Sequence, residues 1–274
     1  MISLLSQIES KNVADEPFPH IIMPDCLPAN LYGELTGEYP ESEVILNGAE
    51  PGNNRRHQIN AAEGLAGAAL SVTWKEFVGH HVSPGFWAEV VAVFGPSIRR
   101  QHPDLEERMG KSLEDFSVAV RGTSEADVVL DCQPGLNTPV LRSNTVRGPH
   151  VDNPVELFGG LLYCRLPEDD SEGAELLLYR HRRQPPRFWG KAELRNADVE
   201  VVATVPYAAN LMVMFINSVD AVHGVTPRAV TPHPRRLVNF IGEVYAGGGL
   251  FKLPRDRSLT GRIRNRWYQK RYGW

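Results

Sequence analysis

The chain has 274 residues, of which 42% are hydrophobic and 23% are charged. This composition is ordinary for a globular protein and excludes a disordered or fibrous chain, and no stretch approaches the roughly 20 apolar residues of a membrane span. The net charge of −4 and the pI of about 6.2 give no reason to expect a polyanionic partner such as nucleic acid.

The N-terminus and the cysteines indicate where the protein works. MISLLSQIESKN has neither a basic segment nor a long apolar run, so we expect no signal peptide. The three cysteines, Cys26, Cys132 and Cys164, are widely spaced and match neither a zinc pattern nor a disulfide framework. A reducing cytoplasm is therefore the expected location.

Residues 1–115 are predicted to form a largely helical N-terminal part. Leu31 and Leu35 lie four residues apart, as on one face of a helix, and Ser83 followed by Pro84 suits a helix start. A stretch rich in Gly, Asn and Glu without periodicity predicts a loop. The predicted elements are a strand within 17–25, a helix over 27–39, a loop over 41–66, and helices over 74–81 and 84–100.

Residues 116–250 change to short runs rich in Val, Leu and aromatic residues, each bounded by Gly, Pro, Asn or charged residues. This pattern is typical of an antiparallel sandwich or barrel. We therefore predict an α+β chain, mainly β, with a jelly-roll core (a double-stranded β-helix) and N-terminal helices packed on one sheet. The whole chain is expected to be one domain. The predicted strands lie in FSVAVRG, ADVVLDC, LFGGLLYCRL, AELLLYR, VEVVATV, NLMVMFI and RLVNFIGEVY.

The C-terminal tail, residues 251–274, is strongly basic, with eight Lys and Arg between Lys252 and Arg271 against the single acid Asp256. A solvated and partly helical tail is the expected structure. A lid, an oligomer contact or a nucleic-acid arm are the alternatives.

The segment RGPHVDNP, residues 147–154, carries the most informative motif. His150 and Asp152 are two residues apart, so in a strand their side chains share a face and can take adjacent positions on one metal. His223 follows the strand-like NLMVMFI and supplies a third ligand. Two histidines and one carboxylate form a facial triad that suits iron(II) and leaves three positions open for a chelating cosubstrate and dioxygen.

At these residues the sequence resembles the prolyl-hydroxylase-like branch of the iron(II)/2-oxoglutarate-dependent dioxygenases. The resemblance covers about residues 141–245 well, and PFPHIIMPDCLPANLYGEL more loosely. It implies that His150, Asp152 and His223 are catalytic iron ligands and that 2-oxoglutarate is the cosubstrate. The matching segments are HVD at 150–152, GGLLYCRLPE at 159–168, GAELLLY at 173–179, NLMVMFINS at 210–218, HGVTP at 223–227 and RRLVNF at 235–240.

The resemblance also implies a basic residue on the last strand that binds the distal carboxylate of 2-oxoglutarate. The family pattern points to Arg236, which precedes Leu237, but the spacing from His223 is longer than usual and leaves Arg235 and then Arg228 open. An arginine suits this role because its fork can bond both carboxylate oxygens.

Weaker candidates accompany this set. Asn144 shares strand parity with His150 and could face the pocket, and Tyr163 on the next strand could reach 2-oxoglutarate. Asn217 and Thr226 flank the His223 strand. Arg55 to Gln58 could meet an anionic group, although an exposed loop is expected there.

The expected activity is oxidation of a small organic substrate with dioxygen, most simply hydroxylation, with release of succinate and CO2. Alternatives are a protein side-chain hydroxylase of the same superfamily, a cupin-like metal protein that does not use 2-oxoglutarate, and a binding module with a decayed site. No membrane or nucleic-acid partner is expected, and the sequence does not indicate an oligomeric state.

Overall fold

The computed structural model describes residues 3–188, 192–245 and 247–253, and within them the chain is mixed α/β and mainly sheet. The helices are α1 (Ala29–Gly37), α2 (Ser42–Leu46), α3 (Ala61–Ala66), α4 (Val72–His81), α5 (Pro84–Gln101) and α6 (Leu105–Met109). The strands are β1 (His20–Met23), β2 (Arg56–Gln58), β3 (Val118–Val120), β4 (Val128–Asn137), β5 (Glu156–Tyr163), β6 (Leu176–His181), β7 (Val199–Val205), β8 (Leu211–Ile216), β9 (His223–Val225) and β10 (Arg235–Glu243).

The strands form two sheets. The larger sheet runs β1-β8-β5-β10-β4-β2, with β3 added in parallel to β4, and the smaller sheet runs β7-β6-β9. All other strand pairs are antiparallel. The chain thus crosses several times from one sheet to the other, and strands that are neighbours in a sheet are often distant in sequence.

Each face of the larger sheet packs against a different layer. Its outer face contacts the helices through residues such as Leu130, Cys132 and Phe240, which share a buried cluster with Trp74 and Phe94. Its inner face meets the smaller sheet in a second cluster. That inner cluster contains Tyr163, Leu176, Leu178, Val213, Phe215 and Leu237.

Strand alternation fixes which residues of β4 and β10 face inward. On β4 the even-numbered Leu130 and Leu136 pack toward the helices, so the odd-numbered residues point to the other face. On β10, Val238 packs toward the helices and Leu237 packs inward. Arg235, two residues before Leu237, therefore lies on the inner face, and Arg236 lies on the outer face.

The sequence predicts α4, α5 and the strands of the β region well. Ser83 caps α5 as expected, because its Oγ accepts a hydrogen bond of 3.3 Å from the backbone N–H of Phe86. The predicted loop over residues 41–66 is wrong in part, since it contains α2, β2 and α3. Strand β2 is only three residues long and is held by antiparallel pairing with the distant β4.

Two further features bear on the expected organisation. Strands β1 and β2 come from the first 115 residues yet belong to the larger sheet, so the N-terminal part is joined to the β region by hydrogen bonds. Among the described residues no helix is long and apolar enough to cross a membrane. Beyond residue 253, the basic tail lies outside the residues that the structure describes.

Candidate metal centre

Backbone pairing brings the three predicted ligands together. The segment containing His150 lies beside β9, and His150 and His223 exchange two backbone hydrogen bonds of 2.9 Å. Gly224 permits this approach, because a Cβ at that position would lie 2.9 Å from the carbonyl of Gly148. Asp152 follows two residues after His150, so all three side chains share one side of the pairing.

The ligand atoms converge at metal-binding distances. Nε2 of His150 and Nε2 of His223 each lie 3.5 Å from a different carboxylate oxygen of Asp152. Within the described part of the chain, this is the one group of three or more His, Cys, Asp or Glu side chains whose potential ligand atoms all lie within 4.8 Å of one another. Metal–ligand bonds of about 2 Å place neighbouring ligand atoms roughly 3 Å apart, so little closure is needed.

Backbone carbonyls orient both imidazole rings. Nδ1 of His150 donates to the carbonyl oxygen of Gly148 at 2.7 Å, and Nδ1 of His223 donates to that of Ala221 at 3.0 Å. These hydrogen bonds leave Nε2 of each ring as the acceptor that faces Asp152. A hydrogen bond from the ring nitrogen that does not face the metal fixes the tautomer whose other nitrogen can bind it.

Electrostatics favour the metal-binding protonation states. Burial lowers the pKa of His223 to about 4, although Asp152 opposes this, so the ring is neutral at neutral pH. Burial alone would raise the pKa of Asp152, but the neighbouring His223, His150 and Arg147 outweigh it and hold the pKa below its usual range. The set therefore offers the neutral His223 imidazole, the Nε2 of His150 and one carboxylate, which fits iron(II).

The centre sits above strands β5 and β8 on the inner face of the larger sheet. A Cβ on Gly159 would lie 3.4 Å from Oδ2 of Asp152 and 3.1 Å from the Phe215 ring. The Phe215 ring is also 4.7 Å from that of His223. The glycine thus leaves room for the carboxylate, and the aromatic ring forms an apolar wall beside the histidine.

Arg235 lies on the same inner face and is almost completely buried, with 3% of its surface exposed. Its guanidinium lies 4.9 Å from the ring centre of Tyr163 and 5.0 Å from that of Tyr207. Nη2 donates to the carbonyl oxygen of Ala174 at 3.1 Å, whereas the buried Nε has no hydrogen-bond partner among the described residues. The aromatic rings hold the arginine in place but do not neutralise its charge.

The other two arginine candidates are placed differently. Arg236 is on the outer face, and its guanidinium lies 4.9 Å from the Tyr39 ring on the helical side. Arg228 is buried but forms an ion pair of 2.6 Å with Asp169 and also donates to Ser171. Nη1 of Arg228 also lacks a hydrogen-bond partner among the described residues, but Asp169 compensates the charge of Arg228. Of the three arginines, Arg235 therefore combines the inner-face position, the free donor and the uncompensated charge that a cosubstrate carboxylate requires.

Of the weaker site candidates from the sequence, one lies beside Arg235 and the others lie elsewhere. Tyr163 is fully buried beside Arg235, and its hydroxyl has no hydrogen-bond partner in the part of the chain that the structure describes. Asn144 is exposed, and its side chain accepts from Asn54 rather than approaching the metal ligands. Asn217 donates to the carbonyls of Asn153 and Glu156 and so supports the chain after Asp152, while Thr226 pairs with Glu175.

A polar surface covers the part of the inner face that the apolar cluster leaves free. Gln133 donates to Asp131 at 2.6 Å and accepts from Asn239 at 3.0 Å, which links β4 to β10. Buried amides between sheets need partners, and a polar inner face is typical of a ligand site rather than of a core. The inner-face polar residues are Arg56, Gln58, Asp131, Gln133, Asn137 and Asn239.

Several of these buried groups are donors without partners. Nη2 of Arg56, Nδ2 of Asn137 and Nε of Arg235 lack a hydrogen-bond partner within the described ranges. Arg56, Asn137 and Arg235 lie opposite one another across β2, β4 and β10. Such a row of unsatisfied donors fits the binding of anionic groups with several acceptor oxygens.

Asn137 and Tyr207 were not predicted as site residues from the sequence, and Arg56 was predicted to lie in an exposed loop. Tyr207 lies two residues after the end of β7, and its buried ring lies against both Arg235 and Arg228. A surface cavity of about 590 Å³ lies behind Tyr207 and is lined by residues such as Arg165, Ser171 and Glu172. None of the metal ligands lines that cavity, so it is separate from the centre.

Comparison with known proteins gives structural neighbours only. No protein-family model matches the chain, and no curated protein matches it. A prolyl 4-hydroxylase of Pseudomonas putida is 13% identical with a TM-score of 0.41, covering 82% of this chain and 92% of that one. A prolyl 4-hydroxylase of Phytophthora capsici is 14% identical with a TM-score of 0.48, covering 96% and 72%.

A third neighbour is the epimerase SnoN, solved with Fe3+, alpha-ketoglutarate and nogalamycin RO. It is 13% identical with a TM-score of 0.47, covering 93% of this chain and 91% of that one. These neighbours are of the class that the sequence resembles, the iron- and 2-oxoglutarate-dependent oxygenases. At this low sequence identity, the function has to be argued from the side chains of the site.

Proposed function

We propose that the chain is an iron(II)/2-oxoglutarate-dependent oxygenase that oxidises a small organic substrate. The observation that carries the proposal is the pairing of two features on one inner face, a convergent His150–Asp152–His223 set and a buried arginine with an unsatisfied donor. The two sheets, with helices outside the larger one, correspond on this proposal to a jelly roll.

On this proposal His150, Asp152 and His223 hold the iron, and Arg235 binds the C5 carboxylate of 2-oxoglutarate. Tyr163 and Tyr207 keep the guanidinium oriented, and the Tyr163 hydroxyl adds a donor. Bound iron with 2-oxoglutarate and dioxygen would supply the oxidising power for attack on a carbon–hydrogen bond, with succinate and CO2 as products.

Arg235 also separates this proposal from a cupin-like metal protein that does not use 2-oxoglutarate. A cupin-like protein of that kind does not need a buried arginine near its metal that lacks a carboxylate partner. Burying a guanidinium is costly unless it is paired, so the arrangement is best explained by an anionic ligand. The protein side-chain hydroxylase remains the alternative for the substrate, and nothing in the described residues favours it.

Metal binding tests the first half of the proposal. Purified protein titrated anaerobically with iron(II) is expected to bind one ion per chain, and 2-oxoglutarate is expected to bind only when the metal is present. Replacement of His150, Asp152 or His223 by alanine should abolish both. The proposal fails if the three variants bind iron as tightly as the wild type does.

A further inference from the structure

Arg56 is a second arginine on the inner face, half-buried and with a buried Nη2, and the proposed chemistry does not use it. It lies on the edge strand β2, opposite Asn137 of β4, which in turn lies opposite Arg235 of β10. Neighbouring strands are about 4.8 Å apart, so the backbones of Arg56 and Arg235 are separated by roughly 10 Å. Side chains that lie opposite one another in a sheet share a face, so both arginines point inward.

Among the residues that the structure describes, the guanidinium of Arg56 has no anionic partner. Its Nε donates to the amide oxygen of Gln58 at 3.1 Å, and its buried Nη2 has no partner. No Asp or Glu oxygen of the described residues lies within 4.0 Å of its nitrogen atoms, although the charge of Asp152 acts on it from farther away. The fold therefore keeps a cation here without an internal counter-ion.

The cation persists at neutral pH. Burial, together with repulsion by Arg235, lowers the pKa of Arg56 to about 10, which still leaves the side chain protonated. An isolated buried charge is unfavourable in the folded state, and an anion that binds against it would offset that cost.

We propose that Arg56 binds a carboxylate of the organic substrate, so that the enzyme oxidises a small organic acid. This inference rests on the proposed function. There, one end of 2-oxoglutarate belongs to the iron and the other to Arg235, so Arg56 is an additional anion site. The hydrogen bond from Nε to Gln58 holds the Arg56 side chain beside the next inner-face residue of β2.

The polar side chains near Arg56 support a substrate site. Gln58 shares the inner face of β2, and Asn137 offers an unpaired amide N–H beside the arginine. A carboxylate has acceptor sites for both donors at once. An organic acid bound there would extend from the edge strand toward the metal ligands, whose Asp152 carboxylate already acts electrostatically on Arg56.

Binding experiments with paired probes test this assignment. Protein loaded with manganese(II) and saturated with 2-oxoglutarate is titrated by calorimetry with a panel of small carboxylic acids and with their methyl esters and primary amides. We expect acids of the panel to bind and the corresponding esters and amides not to bind. In Arg56→Gln the acids should bind about tenfold to a hundredfold more weakly, as expected for a lost charge-assisted hydrogen bond.

Arg55→Gln is the matched control, because it removes the same charge from the neighbouring, exposed residue. This variant should bind acids and 2-oxoglutarate like the wild type. The inference is overturned if no acid of the panel binds, if esters bind as well as acids, or if Arg56→Gln retains full affinity. It is also overturned if Arg56→Gln weakens binding of 2-oxoglutarate itself, since Arg56 would then belong to the cosubstrate site.

Two readouts keep this test separate from the proposed function and from a structural role. Wild-type protein that fails to bind 2-oxoglutarate at all refutes the proposed function before any acid is tested. Thermal unfolding of the ligand-free variants reports on structure, and Arg56→Gln should melt at or above the wild-type temperature because it removes an unpaired buried charge. A clearly lower melting temperature would mean that the protein itself supplies the partner of Arg56.

Discussion

Replacing Arg235 with alanine should weaken 2-oxoglutarate binding by roughly two to three and a half powers of ten. The side chain is 3% exposed and lies between two tyrosine rings, and within the described ranges it donates to one acceptor, the carbonyl of Ala174. Removing it would leave the C5 carboxylate buried without a counter-ion, at a cost of about 3–5 kcal/mol. Each 1.4 kcal/mol corresponds to about a tenfold change in affinity.

Arg236→Ala is the control, because this residue is adjacent on β10 but lies against Tyr39 on the outer face. Calorimetric titration of 2-oxoglutarate into the manganese-loaded variants gives the affinity, and a separate metal titration shows that the triad is intact. Arg236→Ala should bind 2-oxoglutarate within about twofold of the wild type. Equal affinities for the wild type and Arg235→Ala would refute the assignment, and a loss confined to Arg236→Ala would reverse it.

Three further predictions concern the scaffold. Burial lowers the pKa of His81 to about 3, so the neutral ring stabilises the fold fully above about pH 6.5, and this contribution falls by up to about 1.4 kcal/mol per pH unit below that. In denaturant titrations from pH 7 to 4, the free energy of unfolding should therefore fall more steeply for the wild type than for His81→Leu, and equal slopes would contradict this. Gly224→Ala should reduce iron affinity by about tenfold or more because its Cβ meets Gly148, whereas Gly33→Ala, with nothing within 4 Å, should leave it unchanged; equal affinities would contradict this. Ser83→Ala should lower the free energy of unfolding by about 1 kcal/mol through loss of the α5 cap, and an unchanged denaturation midpoint would count against that role.

The cluster of His150, Asp152 and His223 was predictable from the sequence because its signal is partly local. His150 and Asp152 are two residues apart, and His223 follows an apolar strand, so strand alternation and a plausible turn bring them together. The helix over 84–100 was predictable for a similar reason, since Ser83 and Pro84 mark its start and the buried Phe86, Val90 and Phe94 mark its inner stripe.

The choice between Arg235 and Arg236 depended on strand phase, which the sequence leaves ambiguous. Leu237 and Val238 are both apolar, so either could have faced the space between the sheets. In the structure Leu237 packs inward and Val238 packs against the helical side, which places Arg235 inward. The phase is decided by the pairing of β10 with β4 and β5, a long-range property.

Arg56 was harder to recognise, because β2 has only three residues and no alternation that a sequence can show. Its strand exists because residues 56–58 pair with residues 135–137 of β4, far along the chain. The surrounding segment is rich in Gly and Asn, which favours a loop on local grounds. Long-range pairing therefore turns an apparent loop residue into part of the inner face.

The most direct test of the central claim is conversion of 2-oxoglutarate to succinate by the purified protein under air. We predict iron-dependent formation of succinate and CO2 in equal amounts by the wild type. Neither product should form without iron or dioxygen, or with Asp152→Ala. If wild-type protein with bound iron leaves 2-oxoglutarate unchanged in the presence of dioxygen and of the organic acids it binds, the chain is not a 2-oxoglutarate-dependent oxygenase.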